Sequence, residues 1–381
     1  MAGGRNVHLR PPSRGCDHHP QKEIQLVAKT RARSNQPITI GNTEIQPGER
    51  RSIQLNMGRL YTHAQTAMPV QVVCGKRPGP ILFVSAAIHG DELNGVEIIR
   101  RLMRIDELNR LRGTLIAVPI VNLHGFIHTS RYLPDRRDLN RSFPGSQTGS
   151  LAARIAHVFM QEIVRRATHG IDLHTGAVHR TNLPQIRANL DDPETLAMAK
   201  AFGTPVILNS AIRDGSLRAA AAERKTPIVL YEAGEALRLD EFCIRGGVEG
   251  IVRVMRVLGM LRKSRRKPPP EPIMARSSNW VRAPQSGLFR AYAQLGDRVV
   301  RDQTILGAVS DPFGESEQEI RAPFSGIVIG KLNLPLVNEG DAVFHVARFY
   351  RTDLAAERIE DYQETLESEN FPWTDDGYEA H

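Results

Sequence analysis

The run Ile81-Leu82-Phe83-Val84-Ser85-Ala86-Ala87-Ile88-His89-Gly90-Asp91-Glu92-Leu93-Asn94-Gly95 decides the fold class. Ile81–Val84 is a short continuous apolar stretch, the mark of a strand buried on both faces. Leu93, Val96, Ile99 and Met103 then recur at helical spacing, so the strand feeds a helix. His89 and Glu92 sit at the junction. A strand end entering a helix lets an imidazole and a carboxylate three residues apart converge on one point, and a nitrogen and an oxygen ligand suit Zn²⁺. Alone the pair is weak, because a loop histidine beside a helix-start carboxylate is common.

The same grammar recurs outward from this run. Thr114–Val118 is a second apolar strand, and a long loop spans 119–150. Leu151–Ala167 is amphipathic. Ile171-Asp172-Leu173-His174 ends another strand, and Pro205–Leu208 and Ile228–Tyr231 are two more, with a helix near 216–224 between them. Arg245–Leu261 closes the region as a helix. Strands alternating with helices predict an α/β layered fold with a mostly parallel mixed sheet. Residues 36–78, with short β-type runs broken by Gly and Pro, read as its antiparallel edge. The catalytic unit is therefore placed at 36–261.

Residues 1–35 are basic and aperiodic, which predicts disorder. Residues 262–276 are a basic, proline-rich linker. From 277 to 350 there is no good helix and many glycine turns. Ala283-Pro284-Gln285-Ser286-Gly287 recurs as Ala322-Pro323-Phe324-Ser325-Gly326, and Gly296-Asp297-Arg298-Val299 as Gly340-Asp341-Ala342-Val343. This duplication predicts a small all-β module similar to the barrel-sandwich hybrid of biotinyl and lipoyl carriers. It has no Met-Lys-Met, and its candidate tip reads Asp311-Pro312-Phe313-Gly314-Glu315-Ser316, so carrier function is not expected. Residues 351–381 form an acidic tail.

The 381 residues carry a formal net charge of +8 with 41% hydrophobic and 24% charged residues, an ordinary globular balance. The basic residues of 262–267 abut three prolines and lack aromatics, which argues against a nucleic-acid site. Three distant cysteines, Cys16, Cys74 and Cys243, exclude a disulfide scaffold and a cysteine-rich zinc module. No apolar run approaches the roughly 20 residues of a membrane helix. The N-terminal stretch lacks the apolar core of a signal peptide, so a cytoplasmic protein with no membrane partner is expected.

Asp172-Leu173-His174 strengthens the metal reading. A catalytic zinc takes three protein ligands and keeps one open position, and His89, Glu92 and His174 would supply a His₂Glu set. Asp172 shares a strand face with His174 and could orient its imidazole. In the long loop, Arg131 and the run Asp138-Leu139-Asn140-Arg141 offer guanidinium forks that match a carboxylate. Arg136 and Arg137 fit a solvated loop better. Tyr231-Glu232-Ala233-Gly234-Glu235 places carboxylates just past an apolar strand. Glu232, nearer the strand end, suits a general base better than Glu235.

His89-Gly90-Asp91-Glu92-Leu93-Asn94-Gly95, Asp138-Leu139-Asn140-Arg141, Asp172-Leu173-His174 and Glu232-Ala233-Gly234, in this order, resemble the succinylglutamate desuccinylase/aspartoacylase family, a branch of the zinc carboxypeptidase-like fold. The resemblance covers roughly 70–260, and the β module is similar to that family's C-terminal domain. It implies one zinc per subunit on His89, Glu92 and His174, with Glu232 activating water. It implies Arg141, assisted by Asn140, on the substrate carboxylate, and Arg131 polarising the scissile carbonyl. The implied activity is hydrolysis of an N-acyl amino acid of acetyl or succinyl type, a small-molecule partner. Homo-oligomer formation stays open. The alternatives are a metallocarboxypeptidase acting on small peptides and a non-catalytic binding protein. The presence of all three ligands and Glu232 disfavours the second.

Overall fold

The computed structural model describes residues 34–210, 213–264 and 271–368. Of the segment 1–35 expected to be disordered, 1–33 lie outside them, as do 265–270 of the linker and 369–381 of the acidic tail, whereas Asn35 is ordered and donates to the carbonyls of Lys76 (3.0 Å) and Gly113 (3.1 Å). In chain order the elements are β1 (Ile38–Ile40), β2 (Thr43–Ile45), β3 (Arg50–Arg59), β4 (Gln65–Cys74), β5 (Arg77–Ala86), α1 (Asn94–Leu102), β6 (Arg112–Val118), α2 (Leu123–Ile127), α3 (Leu151–Glu162), β7 (His169–Gly176), β8 (Arg180–Ala188), α4 (Pro193–Phe202), β9 (Val206–Asn209), α5 (Leu217–Glu223), β10 (Ile228–Glu235) and α6 (Glu241–Val257). There follow β11 (Ile273–Ala275), β12 (Ser277–Arg282), β13 (Gly287–Ala291), β14 (Arg298–Val299), β15 (Ile305–Ser310), β16 (Glu317–Arg321), β17 (Gly326–Leu332), β18 (Leu336–Val337), β19 (Ala342–Arg348) and α7 (Thr352–Ser368). None of the described helices is long and apolar enough to cross a membrane.

The apolar strands stack as expected into an α/β layer. Parallel pairing is confined to the interior strands β10, β7, β5 and β6 and to a β8–β9–β11 branch. Both flanks are antiparallel. The expectation of a mostly parallel sheet therefore holds for its centre only. The parity of each strand sorts its side chains. Ile171, Leu173, Val229 and Tyr231 enter one core with α1, α4 and α6, whereas Phe83, Ile228 and Leu217 lie in a second core with α3. The helices start where their caps dictate. Ser150, Asp192, Ser216 and Asp240 each accept a hydrogen bond from a backbone N–H three residues on.

One strand escaped the sequence reading. Pro184 lies inside β8, and proline argues against an interior strand. Here it falls where β8 changes partner: residues 180–182 pair with β17 and 185–188 with β9, so neither ladder needs its missing N–H.

The C-terminal module also differs from a bead on a linker. β11, expected within the linker, pairs parallel with β9. Beyond it β12, β19 and β17 extend the main sheet, and β17 pairs directly with β8. A second, four-stranded sheet, β16-β15-β13-β18, completes the module. The duplicated glycine motifs build matching turns. Gly296 and Gly340 both have φ near +90°, and Asp297 and Asp341 each accept from the backbone N–H three residues earlier, those of Gln294 and Asn338. Lys331 lies inside β17, away from the hairpin tip at 311–316.

Candidate active site

β5 ends at Ala86, and the chain turns sharply before α1. The turn lies against the chain near α2: a Cβ on Gly90 would meet Gly125 C at 2.0 Å, so residue 90 must be glycine. Asn94 then ties this motif to β10, donating to the Ala233 carbonyl (3.2 Å) and accepting from Asp240 N–H (2.9 Å). Glu92, just before α1, is thereby buried beside the end of β7.

Strand register assembles the rest. Ser85 stands beside Asp172, Leu230 beside Asp172, and Glu232 beside His174. Alternation puts these side chains on the face opposite the α1/α6 core. The three expected ligands converge. His89 Nδ1 and His174 Nδ1 each lie 2.8 Å from a different oxygen of Glu92, and one ligand atom from each residue falls within 4.8 Å of the others. Each imidazole turns its other nitrogen to a carboxylate: His89 Nε2 to Asp138 Oδ1 at 3.2 Å, and His174 Nε2 to Asp172 Oδ2 at 2.8 Å. Asp172 is itself held by Ser85 Oγ (2.8 Å). This donor set fits a divalent metal. A carboxylate behind each ring engages Nε2, so that Nδ1 is the nitrogen each ring would offer to a metal beside Glu92.

The charges of these side chains are set by one another. Burial opposes protonation of His89, but Glu92 and Asp138 outweigh it and raise its pKa. His174 is raised further, by Asp172 and Glu92 against burial. Burial would raise Glu92, but the two histidines hold it far below the usual carboxylate range. Asp138 is likewise held low, by His89 and Arg131 against burial.

The long loop supplies the other wall. Arg131 donates to Glu92 Oε1 (3.3 Å) and Asp138 Oδ2 (3.1 Å). Asp138 caps the turn below it by accepting from Asn140 N–H. Asn140 is buried, and its Oδ1 accepts from Leu217 N–H at the start of α5 (2.9 Å). Arg141 is exposed and lines a 370 Å³ cavity together with His89, Glu92, His174 and Glu232. Arg136 and Arg137 point to solvent. Glu235 is not in the cavity wall. It accepts from Asn333 of the C-terminal module (2.9 Å), which leaves Glu232 as the carboxylate facing the metal-type cluster.

Further cavity residues lie outside the four motifs that carry the sequence reading. Arg180, Asn182 and Arg187 come from β8, Arg213 from the segment leading into α5, Arg218 from the first turn of α5, and Trp280 from β12. Arg187 Nε stands 2.5 Å from Glu232 Oε2, and Asn182 Nδ2 donates to Oε1 at 2.7 Å. Trp280 stacks on His345 (4.8 Å, 9°), with the Arg180 guanidinium 5.4 Å above its ring. The spread of Arg180, Asn182 and Arg187 along one polar-studded stretch was the available signal.

A buried His₂Glu cluster beyond the ends of parallel strands, with a carboxylate and several guanidiniums around it, defines a hydrolase-type site in an α/β scaffold. Residues 78–258 match the succinylglutamate desuccinylase/aspartoacylase catalytic domain. The chain is 30% identical over 307 residues to an N-alpha-acetyl-L-2,4-diaminobutyric acid deacetylase of Halomonas elongata, spanning 74% of this chain and 85% of that protein. The chain belongs to the succinylglutamate desuccinylase/aspartoacylase family. A family member from Rhodobacter sphaeroides superposes with a TM-score of 0.69 at 26% identity, covering 79% of this chain and 96% of that one. The product-bound ectoine utilization protein of Ruegeria pomeroyi shares the fold (TM-score 0.72, 24% identity, 84% and 100% covered).

Proposed function

We propose that the protein is a cytoplasmic, zinc-dependent deacylase that hydrolyses the amide bond of an N-acyl amino acid to the free amino acid and a carboxylic acid. The observation that carries this reading is the buried His89–Glu92–His174 cluster at the floor of an arginine-lined cavity. These three residues would hold one zinc per subunit, which would supply Lewis acidity and an activated water. Glu232 accepts the proton from that water and delivers it to the leaving amine nitrogen. Arg131, already aimed at the cluster by Asp138, polarises the scissile carbonyl oxygen. Arg141, with Asn140 beside it, grips the amino-acid carboxylate and fixes the amide over the cluster.

The cavity wall also bears on the substrate. It carries Arg131, Arg141, Arg180, Arg187, Arg213 and Arg218 against two carboxylates, Glu92 and Glu232, both committed to the chemistry. Burial, then the neighbouring Arg187, lowers the pKa of Arg218, as crowded cations do. Among the described residues, no further carboxylate in the wall could receive a side-chain ammonium. This wall favours anionic N-acyl amino acids over the diaminobutyrate type on which the Halomonas relative is named. The test is metal analysis with a hydrolysis screen of N-acetyl and N-succinyl amino acids, N-acetyldiaminobutyrate and short peptides. Zinc near one per chain with hydrolysis of acidic N-acyl amino acids supports the reading. Peptide cleavage alone would identify a carboxypeptidase instead.

A further inference from the structure

The carboxylate of Glu232 is held at both oxygens, by Arg187 on one and Asn182 on the other. The two partners differ in kind. Arg187 is a cation that also lines the substrate cavity, so it can serve bound anions. Asn182 is neutral and buried, and it gives Glu232 a donor without altering its charge.

What fixes Asn182 is the strand on its far side. Gly330 of β17 is its register partner, and His345 of β19 is the register partner of Gly330. A Cβ on residue 330 would stand 2.7 Å from Asn182 Oδ1 and 3.2 Å from His345 Cβ. The first distance is shorter than real Cβ contacts allow. Gly330 does not occupy the left-handed region, so its backbone makes no demand for glycine. The missing side chain is what matters. Asn182 Nδ2 is engaged by Glu232, whereas its Oδ1 has no hydrogen-bond partner among the described residues and meets the space left by Gly330.

We propose that Asn182 is the positioning residue that aims Glu232, and that Gly330, by leaving room for that amide, makes the C-terminal β module a working part of the catalytic site. With Asn182 gone, Glu232 keeps Arg187 alone and rotates toward it. A methyl at 330 displaces Asn182 and produces the same rotation from β17, nine strands later in the chain than β8 and its direct neighbour in the sheet. The inference rests on Glu232 acting as the base.

The test uses the zinc-loaded full chain and the best substrate of the hydrolysis screen. Asn182→Ala is expected to lower kcat by on the order of 10- to 100-fold, with KM within about twofold and zinc content unchanged. Gly330→Ala is expected to do the same. The double variant should fall no further than Asn182→Ala, because both changes act through one amide. Unchanged kcat in Asn182→Ala, loss of its zinc, or losses that multiply in the double variant would each overturn the proposal. If Gly330→Ala does not fold, Asn182→Ala still decides by its kcat, KM and zinc content. Glu232→Gln separates the two readings. An active Glu232→Gln removes the base assignment and this inference with it, whereas an inactive one beside a normal Asn182→Ala removes this inference alone.

Discussion

One face of one sheet carries two different kinds of surface. At its centre, β7 and β10 present Asp172, His174 and Glu232, ionisable groups in adjacent register positions. Toward the C-terminal module, β17, β19 and β12 present Gly330, His345 and Trp280, again in adjacent register positions. The centre is parallel, its strand ends are open to a cavity, and its charges face one another. The flank is antiparallel and holds a glycine, a neutral imidazole and an indole. Burial, and then Arg187 nearby, push the His345 pKa down to about 3. The lesson is a division of labour along a continuous hydrogen-bonded layer. The centre bears the ionisable groups, and the flank shapes the space next to them.

Substitutions at the two places should therefore fail differently. The largest loss is expected at the centre. Glu232→Gln should lower turnover by roughly 10²–10⁴-fold while zinc content and thermal midpoint stay near wild type. Turnover within a few-fold of wild type would erase the contrast. Next comes the loop wall. Arg141→Lys keeps the charge and loses the fork, so kcat/KM should fall on the order of 10²-fold, nearly as far as for Arg141→Ala. A substrate whose carboxylate is blocked as an amide should lose little from the same change. Additive losses in this cycle would make Arg141 structural.

A smaller effect sharpens the comparison within the centre. Asp172 is fully buried on a strand and bonded to Ser85, whereas Asp138 is partly exposed on the loop. Asp172→Asn should weaken zinc affinity by about 10- to 100-fold, measured by competition with a chelator, and Asp138→Asn by less. Equal losses would mean that strand and loop support are equivalent.

The smallest effect belongs to the flank and touches stability alone. His345 stays neutral in the folded chain down to about pH 3, while the unfolded chain protonates it near the ordinary 6.5. Between these values the unfolded state binds more protons, so stability rises with pH. The contribution is fully present above about 6.5 and declines as pH falls below it, by up to about 1.4 kcal/mol per pH unit. His345→Phe keeps a ring against Trp280 and should flatten the difference in denaturation midpoint between pH 6 and pH 5. An unchanged slope would show that His345 is not the group responsible.

The sequence alone determined the central strands and the helices between them, and it singled out His89, Glu92 and His174, with Glu232 ahead of Glu235, as candidates. Each of these is written in short range: an apolar run, a helical period, a polar residue just past a strand end. Resemblance in four ordered motifs pointed to the same family. The tertiary structure added where Glu232 and Glu235 lie, because only strand pairing puts one in the cavity wall and the other against Asn333. It also decided that β8 is a strand despite Pro184, since the exemption depends on where β8 changes partner. And it joined the C-terminal module to the main sheet through β17 and β8, more than 140 residues apart in the chain. No local pattern encodes a pairing of that range. Asn182 and Gly330 gain meaning only once register places them side by side.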